Sequence, residues 1–165
     1  MNSIIKTIFF TLLFSIIILG SKIMAKEKIH MTLKGGVVVI ETRSDVAPKH
    51  VEQITKLIND GHYDGVVFHR VIDGFMAQTG DVEFGNSSTD KFNLSRAGTG
   101  GSTLPDIEAE FSSINHGRGA VSMARSQNPN SANSQFFICF GPTPHLDRQY
   151  TVFGKVTEGM EFVDM

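Results

Sequence analysis

The sequence predicts a mainly β domain, a small barrel or a sandwich, behind a separate apolar leader. About seven short strand-like stretches are parted by turn residues, only one internal segment has a clear helical period, and no stretch repeats. Glycine stands at 16 of 165 positions, which suits tight turns. With 41% hydrophobic and 19% charged residues, the chain has material for one domain with its own core. The net charge of −2 is spread without a basic run. That argues against nucleic acid as a partner, because phosphate binding needs clustered positive charge.

The leader comes first. Lys6 precedes "TIFFTLLFSIIILGS", which is uncharged until Lys22. As a helix these residues span roughly 22 Å, short of a hydrocarbon core of about 30 Å. A basic start, an apolar centre and then "SKIMA" form the pattern of a secretory signal peptide cleaved after Ala25. Ile23 fits poorly two places before that point, so an uncleaved leader is the alternative. Residues 1–25 are thus read as a signal peptide or N-terminal membrane anchor, and 26–165 as the folded domain. The protein is expected to be exported to the periplasm, or else tethered to the inner membrane. Cys139 is the only cysteine, so export brings no internal disulfide.

Within the domain, "IHMTL" and "GVVVIET" read as a hairpin turned at Lys34-Gly35. "SDVAPKHVEQITKLINDG" reads as the main helix, with Pro48 in its first turn and Gly61 as its stop. Val51, Ile54, Leu57 and Ile58 form its apolar stripe. Strands are expected over Val66–Ile72 and Phe75–Thr79, turned at Asp73-Gly74. Residues 81–106 are polar and glycine-rich, ending in "GTGGSTLPD", and read as a long loop with no core role of its own. "AVSMAR", "SQFFICF" and "YTVFGKV" are further strands, and "TEGMEFVDM" begins a helix as the chain stops.

Most candidate chemistry falls away. The six histidines show no pair at metal-ligand spacing, so a zinc site is not expected. "GTGG" is followed by neither Lys-Ser/Thr nor a helix, which removes a phosphate cradle. Ser122 and Ser134 lack a nucleophile elbow and a His–carboxylate pair to activate them. Cys139 reads as a packed, inert thiol. Alternation says more: Gln135, Phe137 and Cys139 share one strand face, opposite Phe136, Ile138 and Phe140. Gln beside Phe on one face marks a pocket wall. By the same count Phe68 shares a face with Arg70, and Met123 with Arg125. On the residues alone, Arg70 is a structural salt bridge or hydrogen-bond hub.

"FHRVIDGFMAQTGD", "GTGG", "SMA", "NSQFFICF" and "YTVFGKVTEGMEFVD" occur in an order that resembles the cyclophilin peptidyl-prolyl isomerases, from about Ile29 to the C-terminus. The resemblance implies a closed eight-stranded antiparallel barrel, helices capping its ends, and a groove on its outer face. It implies that Arg70 is the catalytic arginine, held by Gln78, with Phe75 and Met76 lining the proline site. Met123, Ala124 and Arg125 correspond to a run that contacts substrate backbone, Gln135 and Phe137 to groove residues, and Leu146 to the wall of the proline pocket. No cofactor or metal is implied, and the partners would be proline-containing polypeptides.

Three positions depart from the family pattern. His145 replaces a frequent Trp, which counts against cyclosporin binding. Tyr150 replaces the pocket His, as in bacterial exported members. Arg125 replaces Asn and adds a charge at the rim, either for a peptide carboxylate or pointing to water. The family continues past "GMEFVD" through the rest of a helix and a strand, so the resemblance implies a C-terminally truncated domain. The activity implied is isomerisation of Xaa-Pro bonds in folding proteins. The alternative is a groove-based binding module or holdase with little turnover.

Overall fold

The computed structural model describes residues 27–165, so the leader reading lies outside the described residues. Seven strands form one antiparallel sheet: β1 (Lys28–Leu33), β2 (Gly36–Thr42), β3 (Arg70–Ile72), β4 (Met76–Thr79), β5 (Ala120–Met123), β6 (Phe136–Cys139) and β7 (Val152–Glu158). Their order is β1-β2-β7-β5-β6-β4-β3. The expected eighth strand and closed ring are not present among the described residues. The sheet is curled and open, with β1 and β3 as its edges.

β1 and β2 form the expected hairpin, Leu33 pairing with Gly36 across Lys34-Gly35. In β1 the half-buried Ile29, Met31 and Leu33 alternate with exposed residues and pack against the core. Helix α1 (Pro48–Asn59) covers the concave side, burying Val51, Ile54 and Leu57 on the anticipated stripe. Ala47 gives its first turn no side-chain cap. The Glu110 carboxylate instead accepts the N–H groups of Lys49 and His50, each at 3.2 Å, and meets His50 Nδ1 at 2.6 Å. A distant acidic residue thus supplies the acceptor and negative charge that a helix N-terminus favours. A second helix, α2 (Met160–Val163), is one turn long.

Three expectations are corrected. Only Arg70–Ile72 of the Val66–Ile72 stretch is strand, because Val66–His69 leaves the ladder apart from one bridge to Asn86. Phe68 therefore turns to the core while Arg70 stays on the outer face. Residues 81–106 do have an interior role: Asp81, Phe84 and Asn86 are buried, and the Arg96 guanidinium lies 3.5 Å from the Phe84 ring centroid.

Candidate active site

Strand register assembles the site. Arg70 pairs with Gln78 across β3–β4, Gln78 with Phe137 across β4–β6, and Phe137 with Ser122 across β6–β5. Directly paired residues project to the same side, so this row lies on the convex face. The adjacent row, Val71, Ala77, Ile138 and Val121, projects inward, and its last three members belong to the core. A second row, Met76 against Cys139, lies two residues along on the outer face. One sheet surface therefore carries a small outer cluster of Met76, Phe137, Cys139, Ala120 and Leu146, with Phe75, Ala124 and Tyr150 packed on it.

Above this cluster lies a cavity of ≈ 120 Å³. Phe75, Met76, Phe137, Leu146 and Tyr150 form its apolar wall, with Arg70, Gln78, Ala124 and Arg125 at its rim. Leu146 is delivered by a 3-10 turn, Pro144–Leu146. Tyr150 meets Phe137 edge-on, with ring centroids 5.8 Å apart at 81°. His145 leans over Phe75 at 5.5 Å, on the position read as replacing Trp.

Arg70 is exposed and bonds Gln78 Oε1 through Nη1 at a long 3.4 Å, leaving donors available to the cavity. Gln78 Nε2 donates to Gln135 Oε1 at 3.0 Å, and Gln135 Nε2 to the Gly100 carbonyl at 2.7 Å. Gly80, just after β4, lets this region close up: a Cβ there would stand 2.5 Å from the Ser134 carbonyl, at a φ of +89°.

The expected site residues come together except Met123. Its side chain is 1% exposed in the core, on the face opposite Ser122, and does not line the cavity. The shared face expected for Met123 and Arg125 fails because Arg125 lies beyond the end of β5. Arg125 lines the cavity but is held by backbone instead of pointing to water. It donates to the Gln149 carbonyl through Nε and Nη2 and to the Ser126 carbonyl through Nη1, and it lies 4.4 Å over the Tyr150 ring.

One constellation was missed. His116 Nε2 lies 3.0 Å from Ser122 Oγ, and Nδ1 lies 3.0 Å from Asp147 Oδ1, so a serine, a histidine and a carboxylate do meet. Burial pushes the His116 pKa down despite Asp147. Ser122 has no solvent exposure and donates to the Thr151 carbonyl, so no substrate atom reaches it. The chain braces the outer cluster, with His116 stacked on Phe137 at 6.2 Å. Cys139 is fully buried and burial raises its pKa, so it is no nucleophile.

Fold and site together define a mainly β protein whose convex groove holds an apolar ring beside a guanidinium. Comparison with known proteins makes this specific. The family model described as cyclophilin type peptidyl-prolyl cis-trans isomerase/CLD matches residues 28–165, and the chain belongs to that family. A probable peptidyl-prolyl cis-trans isomerase of Brucella abortus (strain 2308) is 62% identical over 134 residues, covering 81% of this chain and 68% of the relative. The peptidyl-prolyl cis-trans isomerase-like 3 of Rattus norvegicus is 43% identical over 133 residues, covering 78% and 74%. Among solved structures, a cyclophilin-type isomerase of Cryptosporidium parvum, determined in the presence of the dipeptide Ala-Pro, has a TM-score of 0.72 at 28% identity, covering 84% of this chain and 83% of that one. The activity of this family is cis–trans isomerisation of peptidyl-prolyl bonds.

Proposed function

We propose that the groove isomerises Xaa-Pro bonds by binding the twisted amide better than either planar form, with Arg70 as the catalytic donor. The observation that supports this most is an exposed guanidinium at the rim of an apolar cavity lined by Phe75, Met76, Phe137 and Leu146. Rotation about an amide costs about 18–20 kcal/mol because twisting destroys conjugation. No bond needs to be made or broken to lower that barrier, only a differential affinity for the twisted state.

On twisting, the prolyl nitrogen becomes pyramidal and gains a lone pair. A guanidinium N–H aimed at that nitrogen bonds the transition state and finds little to bond in the planar amide. One preorganised donor of this kind is worth about 3–4 kcal/mol. The twisted amide is also less charge-separated, so an apolar pocket favours it relative to water. An acceleration on the order of 10⁵ needs about 7 kcal/mol, of which Arg70 supplies about half and the pocket the rest. Gln78 holds the guanidinium, and Ala124, Gln135 and the backbone at Met123 flank the substrate chain. Tyr150 packs on the proline ring, its plane set by Arg125. The test is an Xaa-Pro isomerisation assay on the wild type and Arg70→Ala. Near wild-type turnover in the variant contradicts the assignment.

Substrates of this reading are proline-containing segments of folding proteins, in keeping with the Ala-Pro dipeptide named with the Cryptosporidium relative. The apolar leader after Lys6 supports export to the periplasm. N-terminal sequencing of the protein from cells checks this: a start at Lys26 indicates a cleaved signal, and an intact leader a membrane tether. Closure of the sheet by an eighth strand between β1 and β3 belongs to the same reading. Its support is an apolar cleft of ≈ 730 Å³ lined by β1 on one side and Val66–Phe68 on the other.

A further inference from the structure

The glycine-rich 98–101 segment has no part in the function so far, and Asp81 is a carboxylate with no solvent exposure and no cation bonded to it among the described residues. Its oxygens are fully used by backbone. Oδ2 accepts the N–H groups of Gly98 at 2.7 Å and Gly100 at 2.9 Å, and Oδ1 those of Phe84 at 2.8 Å and Glu83 at 3.1 Å. Burial alone would raise its pKa, but these four donors outweigh it and hold Asp81 below the usual carboxylate range. The space is closed to side chains: a Cβ on Gly100 would stand 2.6 Å from Asp81 Oδ1 and 2.8 Å from the Phe84 ring.

What the carboxylate fixes is the N–H side of Gly100; the carbonyl of the same residue, one peptide further on, accepts from Gln135 Nε2. A side-chain amide has one accepting and one donating end. Once Gln135 presents its NH₂ to Gly100, its Oε1 faces Gln78. Gln78 then presents its own NH₂ to Gln135 and its Oε1 to Arg70. The polarity of both amides is set from the far end by a backbone carbonyl. Reversed, Gln78 would turn an NH₂ toward the guanidinium and repel it.

We propose that Asp81 is a positioning residue for the isomerisation: by anchoring the Gly98–Gly100 backbone it sets the direction of the Gly100–Gln135–Gln78 relay and so the aim of Arg70. The inference rests on Arg70 being the catalytic donor. Asp81 itself touches no substrate. Its loss acts on turnover, because the apolar wall that binds the proline ring is held separately by β4, β6 and the Pro144–Leu146 turn.

The test is kcat and KM for an Xaa-Pro peptide, with thermal unfolding, for Arg70→Ala, Asp81→Asn, Gln135→Glu and the Asp81→Asn/Gln135→Glu double variant. Asp81→Asn keeps the shape and puts an NH₂ among the donors. Gln135→Glu keeps the shape but cannot donate to Gly100. Each is expected to lower kcat about tenfold, since misaiming a catalytic group by a fraction of an ångström is costly, and for Asp81→Asn, which touches no substrate, KM is expected to stay within about twofold. The double variant is expected to be less than about twofold worse than either single, because both cut one relay. Unchanged kcat in Asp81→Asn, or a double loss equal to the product of the singles, overturns the proposal. If Asp81→Asn does not fold, Gly100→Ala displaces the same peptide and is held to the same kcat and KM outcomes. A wild-type Arg70→Ala overturns the catalytic reading and the relay with it; a crippled Arg70→Ala beside an unimpaired Asp81→Asn overturns only the relay.

Discussion

On the groove side of the sheet, β3, β4, β6 and β5 pair in unbroken register and carry Arg70, Gln78 and Phe137 in one row. On the other side, β1 and β3 each have one partner strand, and an apolar cleft opens between β1 and the segment leading to β3. The groove side orders its polar groups by hydrogen bonds that reach the buried Asp81. The cleft side leaves Val71 59% exposed on an edge strand and Ile29, Met31 and Leu33 only half-buried. The strands that carry the groove residues on one face therefore carry core residues on the other. The groove is ordered by strand register, whereas the cleft lies beside the two edge strands, whose unpaired backbone can pair with other chains.

Truncations on the two sides sharpen the contrast most. Ile138→Ala, at a fully buried residue of the inward row, is expected to lower unfolding free energy by about 4 kcal/mol in chemical denaturation. Met31→Ala on the cleft wall is expected to cost about 1–2 kcal/mol, because its side chain is only partly buried and the space left by truncation opens to the cleft. Equal losses would break the comparison.

Acid acts on both regions. Burial lowers the pKa of His50 despite Glu110, of His69 despite Asp81, and of His116 despite Asp147. The unfolded chain, with histidine near pKa 6.5, then binds more protons than the folded one below about pH 6.5. Stability is complete above that pH and declines as pH falls toward the folded pKa values. The melting temperature is expected to fall between about pH 7.5 and 5.5. A flat or rising profile would mean that the carboxylates hold these imidazoles charged.

Smaller effects separate the edge from the groove. Val71→Lys is expected to reduce concentration-dependent light scattering while leaving kcat/KM within about twofold, since its side chain faces away from the Arg70 row. Tyr150→Phe is expected to change kcat/KM least. The described ring makes its contacts through its faces and edges with Phe137 and Arg125, so a loss above about tenfold would make its hydroxyl a working group.

The groove was legible because strands declare their faces. Gln135, Phe137 and Cys139 alternate with Phe136 and Ile138, and the structure puts the two sets on opposite sides. Alternation misled where the chain is not strand, so Phe68 was paired with Arg70 and Met123 with Arg125. The Asp147–His116–Ser122 chain was missed because its carboxylate lies 31 residues from the histidine and arrives on a turn with no period. Asp81 was invisible for a similar reason: its partners are backbone N–H groups of a loop, which leave no pattern of side chains to read. The motifs that resemble the cyclophilins pointed to Arg70 and to Gln78 beside it, but not to the Gly100 carbonyl and Asp81 that stand behind Gln135.

The central claim is that Arg70 binds the twisted amide and not the planar one. It is tested most directly by measuring, on one Xaa-Pro peptide, both the NMR exchange rate between cis and trans and the equilibrium dissociation constant for wild type and Arg70→Ala. The account predicts that kcat/KM falls by about 100-fold or more, with affinity for the planar peptide and the melting temperature nearly unchanged. A proportionate loss of peptide affinity, or exchange at the wild-type rate, would contradict it.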